Sequence, residues 1–257
     1  MKTKIKYWPV FILCLIFGLI AFTKPVSAQN KDQKNTNNKT KIIIEYKLIK
    51  KDLLDNNNLK VNVDNKTITL SGTVPTINAK KKVACIAKNV NENYNYKVVN
   101  EINIADSNLP DSVVTQKVLK RIWDNAFYNV FNYVTASDSN GVVTLYGWVS
   151  EPWNKTNFQK DAEKIAGVKS IKNEIKTTFG PGFLGYRIER MVYENPASSL
   201  NGLQYFSNPP VHIIVDNGTV ILAGNVSSSA ISNWVEDLVI FRTNAIGVKN
   251  YLKVNNV

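Results

Sequence analysis

The sequence predicts an α+β protein made of three tandem copies of one small α-β-β-α-β domain. Three observations support this prediction. A short strand pattern built around a glycine occurs three times in the 257 residues. Turn-forming residues precede each occurrence, and a strand ending in an Asn-containing motif follows each at similar spacing. Self-similarity at a fixed period indicates a repeated structural unit, and we expect each copy to pack two helices on one face of a three-stranded sheet.

The glycine-centred strand is the clearest mark of the repeat, and it occupies residues 67–74, 142–149 and 219–226. In each copy a Leu lies two residues before the glycine and a Val two residues after it. Each copy follows residues that accept the positive φ of a tight hairpin turn. These turns are Asp64-Asn65-Lys66, Ser139-Asn140-Gly141 and Asp216-Asn217-Gly218. The pattern therefore predicts the second strand of a hairpin.

The first hairpin strand is indicated by alternating apolar residues, which are typical of a half-buried strand. The alternation is clear in copies one and three and weaker in copy two, where only two residues match. The inward residues are Leu59, Val61, Val63, Val134, Ala136, Val211, Ile213 and Val215. His212 lies between two inward positions, and we expect its side chain to be exposed.

Helical periodicity precedes each hairpin and follows it. In copy two, Val114, Val118 and Ile122 recur every four residues, after a helix cap predicted at Asp111 or Ser112. In copy one, Ile43, Ile44, Leu48 and Ile49 lie on one side of a helix. Turn-rich segments at 106–110 and 180–182 separate the copies. The predicted domains are residues 41–105, 111–178 and 183–257.

The first 28 residues have the features of a signal peptide. Three lysines near the start precede an apolar run over residues 10–22, and Val26-Ser27-Ala28 supplies the small residues that a signal peptidase reads. We predict a cleaved signal peptide over residues 1–28, with an uncleaved anchor as the alternative. Residues 29–40 are polar without apolar periodicity and predict a flexible tether. The predicted location is the periplasm.

The repeat resembles the BON domain (bacterial OsmY and nodulation). The likeness is carried by residues 67–74, 142–149 and 220–226, together with the Gly-Val-Lys-Ser-Ile-Lys-Asn-Glu-Ile run at 167–175. Copy one lacks the Gly-Val before its last strand, and copy three has a longer stretch at 195–210. The resemblance implies an exported bacterial protein of the hyperosmotic-response type that acts at phospholipid surfaces and has no enzymatic activity.

Composition argues against common catalytic and metal sites. The single histidine, His212, excludes a multi-histidine metal site, and the two cysteines exclude a disulfide framework. No phosphate-binding glycine loop or nucleophile elbow occurs. We interpret the acidic residues Glu189, Glu194, Glu236 and Asp237 as a solvated helix face. The sequence therefore predicts no enzyme, no catalytic residue, no metal and no cofactor, and Cys85 is predicted to be a small buried side chain.

Positive charge is concentrated in the first copy. Basic residues outnumber acidic ones by eleven to six in 40–105 and nine to seven in 111–178, and they are equal in 183–257. Lys80, Lys81 and Lys82 form the densest group, on the predicted second helix. Each lysine near an anionic leaflet contributes roughly 1 kcal/mol. These lysines form either a phospholipid-binding patch or an ordinary solvated helix face; nucleic acid is not an expected partner of an exported protein.

Large aromatic residues distinguish the second copy. Because Val143, Leu145 and Val149 point inward, Tyr146 and Trp148 project from the uncovered face of the sheet. Trp153 follows at the start of the second helix. These rings contact either a membrane interface or partner protein, or a neighbouring domain of the same chain. Trp123 and Phe127 are assigned to the core.

Two hypotheses about function follow from these features. The first is a peripheral module that binds anionic phospholipid through Lys80, Lys81, Lys82, Tyr146, Trp148 and Trp153, with a role in osmotic or envelope stress. The second is a soluble periplasmic protein-interaction or chaperone-like factor that binds envelope proteins through open sheet faces and strand edges.

Overall fold

A computed structural model describes residues 26–54, 58–91 and 95–255. The predicted signal peptide lies outside the described residues except for residues 26–28, which begin the first helix.

Three α-β-β-α-β units follow one another along the chain. The first contains α1 (Val26–Ile49), β1 (Leu59–Asp64), β2 (Thr67–Val74), α2 (Ile77–Asn91) and β3 (Lys97–Ile104). The second contains α3 (Asp111–Trp123), β4 (Tyr133–Ser139), β5 (Val142–Val149), α4 (Pro152–Ala162), β6 (Ser170–Asn173) and β7 (Lys176–Thr177). The third contains α5 (Gly182–Tyr193), a 3-10 turn (Leu203–Tyr205), β8 (Val211–Asp216), β9 (Thr219–Val226), α6 (Ser229–Arg242) and β10 (Gly247–Val254). This architecture confirms the predicted fold class.

Each sheet has the same topology. The first two strands form an antiparallel hairpin, and the last strand lies parallel to the second on its other side. In the second domain β6 and β7 both pair with β5 and together take the place of that last strand. The shared register of the parallel strands places Leu70 opposite Asn100, Leu145 opposite Asn173 and Leu222 opposite Asn250.

The core of each domain lies between its sheet and its two helices. In the second domain Val143, Leu145 and Val149 are fully buried and pack with the helical residues Val118 and Phe158. The alternation of inward and outward residues (the strand parity) predicted for β5 is therefore correct. The apolar face of the sheet and the apolar sides of the helices are removed from water by packing against each other.

The repeated glycine is required by the backbone. At Gly147 φ is +114°, and a Cβ atom would lie 1.9 Å from the carbonyl oxygen of Tyr133 on the neighbouring strand. Gly72 and Gly224 also have a positive φ, +110° and +129°, and a Cβ atom there would lie 1.7 and 2.3 Å from a carbonyl oxygen. Only a residue without a side chain fits such a position, and this explains why the sequence repeats it.

The repeated asparagine ties the last strand to the second helix. The Asn173 amide donates to the Lys155 carbonyl at 3.0 Å and to Gln159 Oε1 at 3.1 Å. Its counterpart Asn250 donates to Ser232 Oγ at 3.1 Å and to Glu236 Oε2 at 2.9 Å. In all three domains the amide oxygen accepts the N–H two residues further along. The asparagine motif is structural.

The prediction of a flexible tether over residues 29–40 is wrong, because these residues belong to the long helix α1. Thr40 is buried, and the buried Asn37 accepts a hydrogen bond of 2.8 Å from the Tyr96 hydroxyl. Gln33 also donates to Asn37, at 2.9 Å. These contacts are polar, and so apolar periodicity does not reveal them. Ile49, predicted to face inward, is exposed because Ile44 and Leu48 define the buried side.

Candidate functional site

The three consecutive lysines lie on α2, which buries Ala79, Val83 and other small apolar residues against the first sheet. Lys80 is half-buried, and Lys81 and Lys82 are exposed. Lys80 and Lys81 line a cleft facing the second domain, whereas Lys82 does not. The predicted patch is therefore divided between two surfaces, since neighbouring residues on a helix point in different directions.

Lys81 takes part in the junction between the first and second domains. Its Nζ lies 2.6 Å from Oε1 of Glu163, whose side chain is only 4% exposed. The same oxygen accepts a hydrogen bond of 3.0 Å from Gln159. The backbone carbonyl of Glu163 accepts the Asn78 N–H at 2.9 Å. Ile77, at the start of α2, packs against the core of the second domain.

A cleft of about 640 Å³ lies at this junction. α2 and β3 of the first domain form one wall, and residues of α4 and β6 form the other. Its basic residues are Lys80, Lys81, Lys88 and Lys169, and its apolar residues are Ile77, Ala84, Ile104 and Ile171. Cys85 also lines the cleft and is exposed, which corrects the prediction of a buried thiol. It occupies the outer side of α2, while Val83 and Ala87 face the core.

The two rings of β5 have different environments. Trp148 is half-buried and stacks on Tyr251 of the third domain, with ring centroids 6.2 Å apart and an interplanar angle of 13°. Tyr146 remains exposed, with its hydroxyl 3.3 Å from Ser137 Oγ. The alternative of contact with a neighbouring domain therefore applies to Trp148, and only Tyr146 is available to a partner.

Trp153 is exposed at the start of α4 and makes an edge-to-face contact with Phe127, with centroids 4.5 Å apart. Phe127 is 52% exposed, which corrects its assignment to the core. It lies in the turn after α3, beyond the helical face that packs on the sheet. Trp123 is half-buried and packs against the core of the second domain.

His212 is fully buried, and the prediction of an exposed side chain is wrong. Its ring contacts Tyr128 and Tyr133 of the second domain at centroid distances of 5.6 and 5.3 Å, and Nε2 lies 3.1 Å from Asn208 Oδ1. Burial lowers the pKa of His212 to about 4. The His212 side chain does project from the face of the sheet opposite its own helices, but the second domain covers this face.

The outer face of the third sheet carries a signal that the sequence analysis missed. Ile214, Ile221 and Ala223 share the outward parity of His212 and are all buried. Strands that are apolar at both parities are typical of sheets buried on both faces. This pattern could have predicted a neighbour on the uncovered side of the third sheet.

A loop of the second domain completes this junction. Val130 and Phe131 are buried within the core cluster of the third domain. The Val130 carbonyl accepts the Ile213 N–H at 2.7 Å, and the Phe131 ring lies 5.0 Å from Tyr186. The loop thus occupies part of the free edge of β8, where unpaired backbone groups would otherwise be exposed.

The BON domain family matches three regions of the chain, residues 43–106, 110–178 and 196–256. The chain belongs to the BON domain family. These regions correspond to the three structural units, which we call BON domains 1, 2 and 3. The third match begins after α5, which supplies the first helix of BON domain 3 ahead of the long segment 195–210.

Comparisons with other proteins add no functional argument. Two solved structures of CdsD, a structural protein of the type III secretion system of Chlamydia trachomatis, are similar at 12% and 13% identity. The matches cover 84% and 83% of this chain and 91% and 96% of those chains. Both have a TM-score of 0.25, too low to support an inference. A comparison with curated proteins gives no match.

BON domain 1 also carries an exposed apolar stripe that the sequence analysis did not identify. Ile42, Tyr46 and Ile49 of α1 are 62%, 56% and 44% exposed. Their spacing places them on one side of the helix, opposite the buried Ile44 and Leu48. Lys50 lies above the Tyr46 ring, with Nζ 4.9 Å from the centroid. The stripe is recognisable in the sequence once the inward side of α1 is known.

Among the described residues 26–54, 58–91 and 95–255, no helix has the length and apolar character needed to span a membrane. Within the same ranges, no group of three or more His, Cys, Asp or Glu side chains could hold a metal ion.

Proposed function

We propose that this protein is a non-enzymatic periplasmic factor that binds anionic phospholipid surfaces through BON domain 1, in the response to osmotic or envelope stress. The observation that carries the proposal is the outer face of α1, where Ile42, Tyr46 and Ile49 are exposed beside the exposed lysines Lys47 and Lys50. A helix with this composition on its free side is suited to the interface between headgroups and acyl chains.

Charge and burial act together in this proposal. The apolar side chains of the stripe gain free energy when the headgroup boundary removes them from water. Lysines close to an anionic leaflet add roughly 1 kcal/mol each, and salt weakens this attraction. BON domain 1, which holds the largest excess of basic residues, is the domain that would face the membrane. Lys82 adds to this charge from α2, which packs beside α1.

The test is co-sedimentation of the predicted mature chain, from Gln29, with phosphatidylcholine vesicles and with vesicles containing phosphatidylglycerol. We expect binding only to the anionic vesicles, with weaker binding at physiological than at low salt. Replacing Ile42 and Tyr46 with Ser is expected to reduce binding, whereas Ile240→Ser, at an exposed position on α6, is the matched control. Equal binding to both vesicle types, or no effect of the α1 substitutions, would contradict the proposal.

A second candidate is a soluble periplasmic factor that binds envelope proteins. It is favoured by two rings beside the segment that joins BON domains 2 and 3, since Phe179 and Phe183 are 96% and 82% exposed. Exposed aromatic residues commonly contact proteins. Trp148 is unsuited to this role because it stacks on Tyr251. Absence of binding to any vesicle, with capture of an envelope protein that Phe183→Ser abolishes, would support this second candidate.

A further inference from the structure

We infer that the cleft between BON domains 1 and 2 binds a single anionic phospholipid, with its phosphate against Lys80 and Lys88 and part of an acyl chain on the apolar floor. This inference rests on the proposed function and names a second, specific site for the same class of ligand. It concerns the 640 Å³ cleft and is separate from the outer stripe of α1.

The charge in the cleft is not fully compensated by the protein. Lys81 pairs with Glu163, and Lys169 lies 2.5 Å from Asp106 Oδ1. Within the part of the chain that the structure describes, Lys80 and Lys88 form no ion pair. Two lysines on one side of a concave site provide the positive charge and N–H donors that a phosphodiester requires.

The floor of the cleft is apolar. Ile77 and Ala84 of α2, Ile104 of β3 and Ile171 of β6 are each half-buried. A free phosphate or sugar phosphate would leave these side chains in contact with water. An acyl chain would cover them, and the removal of this apolar surface from water favours binding. The combination of cations and apolar floor therefore favours an amphiphile.

A departure from the repeat makes room for this cleft. In BON domains 2 and 3 the amide of the repeated asparagine donates to Gln159 or Glu236 of the second helix. Ala84 occupies the corresponding position in BON domain 1, and its methyl side chain has no acceptor for such a bond. Among the described residues the Asn100 amide has no acceptor on α2, and it lines the cleft as a further donor.

Cys85 provides a direct measurement of occupancy. It is exposed, lines the cleft and is the one cysteine of the predicted mature chain. Its alkylation by the neutral reagent iodoacetamide would be followed by mass spectrometry, with dihexanoyl phosphatidylglycerol as the probe below its micelle concentration. We expect a several-fold slower alkylation at saturating probe. Dihexanoyl phosphatidylcholine and glycerol phosphate, at the same concentration, are expected to leave the rate unchanged.

Matched variants localise the effect. Replacing Lys80 and Lys88 with Gln should abolish the protection, whereas replacing Lys82 and Lys160, which do not line the cleft, makes the same charge change and should preserve it. Ala84→Gln restores the residue type of BON domain 2, and its longer side chain should fill the cleft without a change in charge. The rate with and without probe is compared within each variant, and thermal melting checks that each one is folded.

The outcomes separate this inference from the proposed function. Anionic vesicles that bind the protein while the soluble lipid leaves Cys85 unprotected would overturn the cleft and leave the surface function standing. Equal protection by glycerol phosphate would overturn the lipid as ligand in favour of a soluble phosphate ester. Protection that Ala84→Gln abolishes, with vesicle binding retained, would support both sites as distinct.

Discussion

Two residues of the repeat are fixed by backbone geometry and hydrogen bonding. Gly72, Gly147 and Gly224 each let a neighbouring carbonyl oxygen approach to a position that a side chain would occupy. The asparagine of each last strand accepts a backbone N–H two residues ahead. These requirements are local to each domain, and they therefore leave a clear signal in the sequence.

The glycine requirement predicts a large stability loss for Gly147→Ala. A non-glycine residue held at this sparsely populated φ costs about 1–3 kcal/mol, and the new Cβ would overlap the Tyr133 carbonyl oxygen, 1.9 Å away. We expect a total loss of about 3 kcal/mol or more in the unfolding free energy of BON domain 2, measured by hydrogen exchange of the β5 amides.

Gly202→Ala is the matched control for this substitution. Gly202 also has a positive φ, +77°, but a Cβ atom there would have no neighbour within 4 Å. Only the conformational cost of about 1 kcal/mol should remain. Equal losses for the two variants would show that the close approach in the hairpin contributes nothing.

Burial predicted from residue type is wrong at positions where it depends on the surrounding elements. The usual preference of cysteine predicts a buried Cys85, but this residue lies exposed on the outer side of α2. The prediction that Phe127 belongs to the core is wrong, because Phe127 lies in the turn beyond α3 and is exposed. Residue type alone does not determine burial when more than one environment accepts the side chain.

Among the elements, the contact between the last strand and the second helix differs from domain to domain. In BON domain 2 the asparagine amide donates to a backbone carbonyl and to a glutamine side chain of the second helix. In BON domain 3 it donates to a serine hydroxyl and to a glutamate carboxylate of that helix. In BON domain 1 the shorter Ala84 leaves the helix and strand without this link. Over the described residues, the last strand is therefore bonded to the second helix through the asparagine amide in BON domains 2 and 3 but not in BON domain 1.

This difference predicts unequal effects of one substitution. Asn173→Ala removes two donated hydrogen bonds and one accepted bond. It should destabilise BON domain 2 by about 2 kcal/mol. Asn100→Ala removes only the accepted bond and should cost under about 1 kcal/mol. Hydrogen exchange of the β5 and β2 amides measures each domain separately; similar losses would mean that the tie to the helix contributes little.

At the scale of the whole molecule, the three small domains depend on their junctions. A single domain of this size has a marginal core. BON domains 1 and 2 are joined by the Glu163 contacts and by Ile77. BON domains 2 and 3 share Phe131, the Trp148–Tyr251 stack and the buried His212. We expect the junctions to contribute to the stability of the domains they connect.

His212 makes the second junction sensitive to pH. Its pKa is about 4 in the folded protein and 6.5 when exposed to water. Because the unfolded chain binds the proton more tightly, stability falls as pH decreases from about 6.5 to 4. The two values correspond to a loss of roughly 3 kcal/mol at the lower end. Urea unfolding across this range is expected to show the loss, and His212→Phe should remove most of it.

A direct check uses the fact that the chain has one histidine. The proton NMR signal of its ring should titrate near pH 4 in the native protein. In Phe131→Ala, which weakens the contact between BON domains 2 and 3, the pKa should move toward 6.5 as the ring gains access to water. A native value near 6.5 would show that the ring is not buried in solution.

The sequence by itself determined the fold class, the threefold repeat, the strand parity of BON domain 2 and the family. These follow from local periodicity, turn residues and the glycine, because each domain buries its apolar face within a short stretch of chain. The polar segment 29–40 is the exception, since its helix contacts the rest of the domain through the hydrogen bond from the Tyr96 hydroxyl to Asn37, which apolar periodicity does not reveal.

The tertiary structure alone decided which surfaces are free. It covers His212 and Trp148 with a neighbouring domain, and it directs Lys80 and Lys81 into a cleft while Lys82 remains outside. It also leaves the outer stripe of α1 open to solvent. Parity and periodicity show which way a side chain points within its own domain. What lies opposite that side chain depends on contacts between residues far apart in the chain, and these leave no periodic signal.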